Sequence, residues 1–152
     1  MSRRSDQRRS AIFALYQHDL TGRPLGETLP RDAAGFTKAL AQAALTRQHE
    51  LDELIGRHAE GWTLDRIAPL ERSILRVGLL ELLHPGDVPG EQPIPPEGAI
   101  DEAVETAKAY CGADAPGFVN GILAAVLRAH QAAAGGGEGT ATAAARGGGP
   151  AR

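Results

Sequence analysis

The sequence predicts an all-α protein, a compact helical bundle of about six to seven helices. Ala and Leu supply most of the 42% hydrophobic content, and aromatic residues make up only 4%. Such a composition favours helix packed on helix over strands, which draw on Val, Ile, Thr and aromatics. Apolar residues recur three and four positions apart, the period of a helix with one buried face. No stretch alternates as a strand would, and no repeat of solenoid length is present. The 152 residues are read as one helical domain, 1–131, followed by a tail, 132–152.

The first helix runs from about Ser5 to Leu20, with Ile12, Leu15 and Tyr16 on one face and Thr21-Gly22-Arg23-Pro24 as its stop. A loop leads to Pro30. Phe36, Leu40 and Ala43 mark the second helix; Leu51, Leu54, Ile55 and His58 mark the third, which ends near Gly61. Trp62 to Ile67 is a short amphipathic piece before Pro69. Leu70 to about His84 is the most apolar helix, closed by Pro85-Gly86. Spaced at about 100° per residue, Arg72 and Arg76 share one side and the other directions are mostly apolar. This helix is therefore the central one. His84 to Gly98 is a Pro- and Gly-rich loop, long for a compact domain. Ile100, Ala103, Val104, Ala107 and Cys111 form the stripe of the next helix. Asp114-Ala115-Pro116 reads as an N-cap with Pro in the first turn. The last helix continues through Val119, Ile122, Leu123 and Val126 to about His130. From Ala132 onward, Ala, Gly and Thr offer too little apolar surface to order the chain, so disorder is expected there.

Charge and composition exclude several function classes. A net charge of −3 argues against a protein that coats nucleic acid non-specifically, so any nucleic-acid contact must come from a local patch. One cysteine, Cys111, excludes a disulfide framework within the chain and a cysteine-based zinc site. No apolar run approaches the ~18–20 residues that span a bilayer, and the N-terminus lacks a secretory apolar run. A cytoplasmic protein without a membrane role is expected. The histidines, 18, 49, 58, 84 and 130, show no helical metal-ligand spacing, so no metal is expected. Phosphate-binding loops, dinucleotide fingerprints and the nucleophile elbow are missing as well, so the reading is of a protein without cofactor or catalysis. Asp101, Glu102 and Glu105 cluster, but on the solvated face of an amphipathic helix. Cys111 falls on the apolar stripe and reads as a buried structural thiol.

Three features are poorly explained by packing. Arg3, Arg4, Arg8 and Arg9 crowd the start of the first helix, where the helix dipole disfavours cations. The readings are a frayed, solvated terminus or phosphate binding reinforced by exposed N–H groups. Tyr16 offers either a core side chain or a ring for base stacking. Glu81 falls about 20° from Leu70 on the central helix, a carboxylate inside an apolar arc. Either the helix has outrun the core by that point or Glu81 meets a partner's cation. Finally, Asp114 to Gly121 places Phe118, Asn120 and two glycines at one helical start. Asp114 serves as a plain N-cap in the simplest reading, and Gly117 and Gly121 suggest close helix packing.

Several segments, in order and in register, resemble the NusB family. They are Arg8-Arg9 through Ala14-Leu15-Tyr16-Gln17, Trp62-Thr63-Leu64-Asp65-Arg66-Ile67, Glu71-Arg72-Ser73-Ile74-Leu75-Arg76 and Glu81-Leu82-Leu83. Ala99 to Glu105 with Ala107-Lys108, and Phe118-Val119-Asn120-Gly121-Ile122-Leu123, complete the set. The likeness covers about residues 8–131. It implies two small three-helix bundles and a transcription antitermination factor. Such a factor binds boxA-type single-stranded RNA of ribosomal RNA leaders jointly with NusE, a small-subunit ribosomal protein. RNA polymerase and the other Nus factors are then indirect partners. The resemblance implies RNA contacts at Arg4, Arg8, Tyr16, Asp114 and Phe118, and a NusE-facing glutamate at Glu81; Arg9 joins the expected RNA contacts as part of the arginine patch. The chain departs from the family pattern at Asp6, where a basic residue is common, at Asp101 in place of Asn, and in its longer Pro-rich loop. Two other readings stay open: the NusB-like helical domain of an RNA methyltransferase, and a homodimeric interaction module without an RNA role.

Overall fold

The structure, a computed structural model, describes residues 3–88 and 93–145. Seven α-helices lie among the described residues: α1 (Arg4–Thr21), α2 (Leu25–Thr28), α3 (Gly35–Thr46), α4 (Gln48–His58), α5 (Pro69–Leu83), α6 (Pro96–Tyr110) and α7 (Ala115–Ala145). Short 3₁₀ turns cover Leu64–Arg66 and Pro85–Asp87, and no strand occurs among the described residues. None of these helices is long and apolar enough to cross a membrane.

The central position of α5 follows from its sequence. Ten consecutive residues, Ser73 to Leu82, are buried, because α1, α3, α4, α6 and α7 all pack against this helix. Its start is fixed by Pro69 at the first helical turn, where a missing N–H costs nothing. Gly78 sits on the face toward α6 and α7. A Cβ there would lie 3.0 Å from Leu123 Cδ1 and 3.5 Å from the Ala103 Cβ, so glycine at this point lets both helices close on α5. α1 and α3 pack together beside α2, and α5, α6 and α7 form the second group, with α4 touching α3, α5 and α7. Leu15, Leu40, Leu51, Ile55, Leu75, Leu80, Val119 and Leu123 belong to one continuous core across both groups.

Buried charges tie α1 and α4 to α5. Arg8 Nε donates to Glu81 Oε1 at 2.7 Å, with the two side chains only 10% and 7% exposed. Asp19 Oδ2 accepts from Arg72 Nη2 at 3.0 Å and from Arg76 Nη1 at 3.2 Å. Asp52 on α4 takes Arg76 in a two-point pair, 2.7 Å from Nε and 3.1 Å from Nη2. Arg72 Nη1 also donates to the carbonyls of Leu64 and Ile67, closing the turn that leads into α5. Glu81, expected to face a partner's cation, is paired inside the fold in this structure. Its cation comes from α1 of the same chain, an element that helical spacing along α5 does not reveal.

Other expectations shift for local reasons. The loop after α1 contains the short helix α2, held because Leu25 is buried and Thr28 Oγ1 donates to the Ala14 carbonyl at 2.9 Å. Gly22 ends α1 in the left-handed region, φ 76°, with its N–H on the His18 carbonyl, a conformation that favours glycine. Gly117 and Gly121 do not mediate close packing: both are exposed, and an added Cβ would meet nothing within 4 Å. The Pro-rich connection ends at Pro96, where α6 begins, and its residues 89–92 lie outside the described residues.

The last helix continues past His130, its expected end, to Ala145; the expected disorder from Ala132 lies partly on residues 146–152, outside the described ones. Ala132 to Gly135 are exposed. The stretch beyond them carries several glycines, each costing a helix ~1 kcal/mol relative to Ala. We propose that this extension contributes nothing to the core, so truncation after Ala134 should leave the melting temperature unchanged within about a degree. A drop of several degrees in a thermal melt would assign the tail a structural role.

The Arg8–Glu81 pair makes a second prediction. Glu81→Leu should destabilise the fold by ~3–5 kcal/mol, because Arg8 is left buried without a counter-charge. Adding Arg8→Met should recover most of that loss, since removing both charges relieves both desolvation penalties. Denaturant melts of the two single variants and the double variant measure the coupling.

Candidate nucleic-acid interface

Four arginines open α1, and the structure sends them in different directions. Arg3 is the exposed N-cap. Arg4 is exposed, donates to Gln7 Oε1 at 2.9 Å and lies 4.1 Å from the centre of the Phe36 ring on α3. Arg8 lies 5.3 Å from the same ring but is committed to Glu81. Arg9 points to the other side, 5.6 Å from the centre of the Tyr110 ring at the end of α6. Phe13, one turn on from Arg9, meets that ring edge-on, with centroids 4.9 Å apart and planes at 88°. Ser5 Oγ donates to Glu102 Oε2 at 2.9 Å, which holds the first turn of α1 against α6.

These contacts sort the expected residues. Arg4 and Arg9 keep their charge, because an aromatic face attracts a guanidinium without neutralising it. Among the described residues, neither has a carboxylate within ion-pairing distance. Arg8, expected to contact phosphate, is instead buried and paired with Glu81 in this structure. Tyr16 is half-buried and lies on the same side of α1 as Arg9 and Phe13, by their spacing.

Asp114 and Phe118 stand at a second locus. They line a cavity of about 360 Å³ together with Trp62, Arg66, Ile67, Ala68, Glu71 and the Gly112–Ala115 turn. Trp62 is 51% exposed and meets Phe118 edge-on, centroids 6.3 Å apart. Asp114 directly precedes α7, and its carbonyl accepts from the Phe118 N–H at 3.2 Å. Its side chain is left at the exposed rim. Burial raises the Glu71 carboxyl above its ordinary value. Burial also pushes the Cys111 thiol up, and the Glu71 charge adds to it, so this half-buried sulfur is held in its unreactive protonated form. Two aromatic walls, carboxylate acceptors and one cation at Arg66 suit a flat ligand that carries N–H donors. Among the described residues, no group of three His, Cys, Asp or Glu side chains is placed to hold a metal ion.

The sequence reading quoted Trp62, Arg66 and Glu71 only as parts of family-like segments, with no site role, and did not name Phe13 or Tyr110. For Trp62 a signal existed: the one tryptophan of the chain sits in a short turn where little core is available. Glu71 gave none, because an acid in the first turn of a helix is what the dipole favours anyway.

The NusB family profile matches residues 5–128. The transcription antitermination protein NusB of Halalkalibacterium halodurans is 36% identical over 137 residues, covering 86% of this chain and 97% of that protein. Among solved structures, T. maritima NusB superposes with a TM-score of 0.71 at 31% identity, over 84% of this chain and 92% of its own. A crystal structure of the antitermination factors NusB and NusE in complex with dsRNA gives 0.69 at 29% identity, over 83% and 96%.

The environment of Glu71 yields a pH prediction. Its carboxyl is raised on folding, so this group favours the fold fully below its ordinary value. That contribution is lost as the pH rises through the raised one. Glu71→Gln should therefore melt higher than the parent at neutral pH, and the gap should close in acid. Melting curves across pH 3–8 (on the order of the carboxylate range and above) measure the gap; a gap independent of pH would contradict the assignment.

Proposed function

Because the chain belongs to the NusB family, we infer that it works as a transcription antitermination factor. It binds boxA-type single-stranded RNA in ribosomal RNA leaders together with NusE, the small-subunit ribosomal protein. RNA polymerase and other Nus factors join indirectly. It acts in the cytoplasm and performs no catalysis. Neither alternative, the methyltransferase domain or the interaction module without RNA, is favoured by the likeness to stand-alone antitermination proteins.

The observation that carries the RNA reading is the pair of uncompensated guanidiniums, Arg4 and Arg9, at the start of α1 on a protein of net charge −3. Cations at a helix N-terminus are unfavourable until an anion arrives; a phosphodiester chain then meets both the guanidiniums and the exposed N–H groups of the first turn. The cavity at Trp62 and Phe118 complements them. Its carboxylates repel phosphate but accept from the N–H edge of a base, and its rings provide stacking surface. Backbone and bases of one strand are thereby held by different parts of the surface.

Arg4→Ala with Arg9→Ala should flatten the slope of log K against log salt by about 1.4, from ~0.7 per phosphate on a single strand. Arg8→Ala should lower the melting temperature and leave the slope nearly unchanged. Titrations of a boxA oligonucleotide with and without NusE at several salt concentrations read both effects. An unchanged slope in the double variant would remove these arginines from the interface.

A further inference from the structure

We propose that Tyr110 is a base-stacking platform which, with Arg9, seats one nucleotide of the bound strand; this rests on the RNA reading above. Tyr110 closes α6 and is 49% exposed as a residue, although neighbours hold its ring on two sides. Phe13 supports one side edge-on at 4.9 Å, and the Arg9 guanidinium lies 5.6 Å from the ring centre. The ring is thus fixed in place yet partly open, the condition under which stacking costs little ordering entropy. Arg9 itself is held by the ring and by no carboxylate among the described residues. Its charge therefore remains available to a phosphate. Cation and ring stand within the span of a single nucleotide, so phosphate on Arg9 and base on Tyr110 is one continuous contact.

Charge decides between RNA and a protein as occupant. The group beside the ring is a cation with no carboxylate on it among the described residues, at the end of α1 where Arg3 and Arg4 are also exposed. A ligand that repeats an anion and a flat aromatic ring at short intervals matches that arrangement. Tyr110 also adjoins the Gly112–Ala115 turn that lines the Trp62 cavity, so successive nucleotides have a second aromatic surface to reach.

The test uses the full chain, alone and with NusE, and a boxA oligonucleotide carrying 5-iodouridine at single positions. Irradiation should crosslink one of those positions to Tyr110. Tyr110→Phe keeps the ring and should keep the affinity. Tyr110→Leu keeps an apolar contact to Phe13 and should lose about fivefold or more in affinity, with an unchanged salt slope and a near-parental melting temperature. Arg9→Ala, by contrast, should lower the salt slope. If parental binding and its salt slope stand while no crosslink reaches Tyr110 and Tyr110→Leu binds as the parent does, the seat is overturned and RNA binding survives. If the parent binds no RNA even with NusE, both readings fall.

Discussion

The fold depends on one constraint: its most deeply buried helix carries charge. α5 is enclosed from Ser73 to Leu82, yet Arg76 and Glu81 lie within that stretch and Arg72 at its edge. An uncompensated charge at such a depth costs several kcal/mol, so every helix that covers one must bring its opposite. α1 does so twice, with Arg8 near its start and Asp19 near its end. Those residues are eleven apart, about 16 Å along a helix, and the charges they meet on α5 are nine apart, about 13 Å. The two separations match only when α1 runs antiparallel to α5 in a single register. The ion pairs thus act less as net stabilisers than as alignment marks, while Gly78 and the aliphatic core set how closely the helices approach.

How far the sequence revealed this structure depends on the distance over which each signal acts. Helix positions were legible because apolar periodicity is local: the α5 span, the stripe of α6 and the shared side of Arg72 and Arg76 could be read directly. Arg8 and Glu81 were each recognised as anomalous, a cation at a helix start and a carboxylate in an apolar arc. Each was given an external partner. They answer each other across 73 positions of chain, a distance no helical-wheel argument covers. The cavity escaped for the same reason, since Trp62 and Glu71 reach Phe118 only once α5 and α7 are packed. Asp114 and Phe118 were given a site role, but the residues facing them were not. The glycines misled in the opposite direction: Gly117 and Gly121 looked like packing residues and are exposed, while Gly78, an unremarked position in the central helix, is the one that admits its neighbours.

The arginines of α1 show how one residue type serves two purposes within a single helix. Where a guanidinium faces a carboxylate at depth, as Arg8 does, its charge is consumed by the fold. Where it rests on a ring, as Arg4 and Arg9 do on Phe36 and Tyr110, its position is fixed and its charge persists. An aromatic-poor protein places two of its few rings beneath cations. This gives an acidic molecule a local cationic edge, with the exposed Asp6 as the acid of the same turn.

The link between Arg8 and Glu81, together with that from Ser5 to Glu102, spans 73 and 97 positions, and it orders events during synthesis. α1 is made well before two of its partners, because the Glu81 counter-charge of Arg8 and the Glu102 acceptor of Ser5 are translated much later. At a translation rate of ~5–20 residues per second, Arg8 stays without its counter-charge for several seconds, even once α2 and α3 cover part of α1. During that interval the helix is exposed to chaperones, to proteases and to the RNA-rich surface from which it emerges.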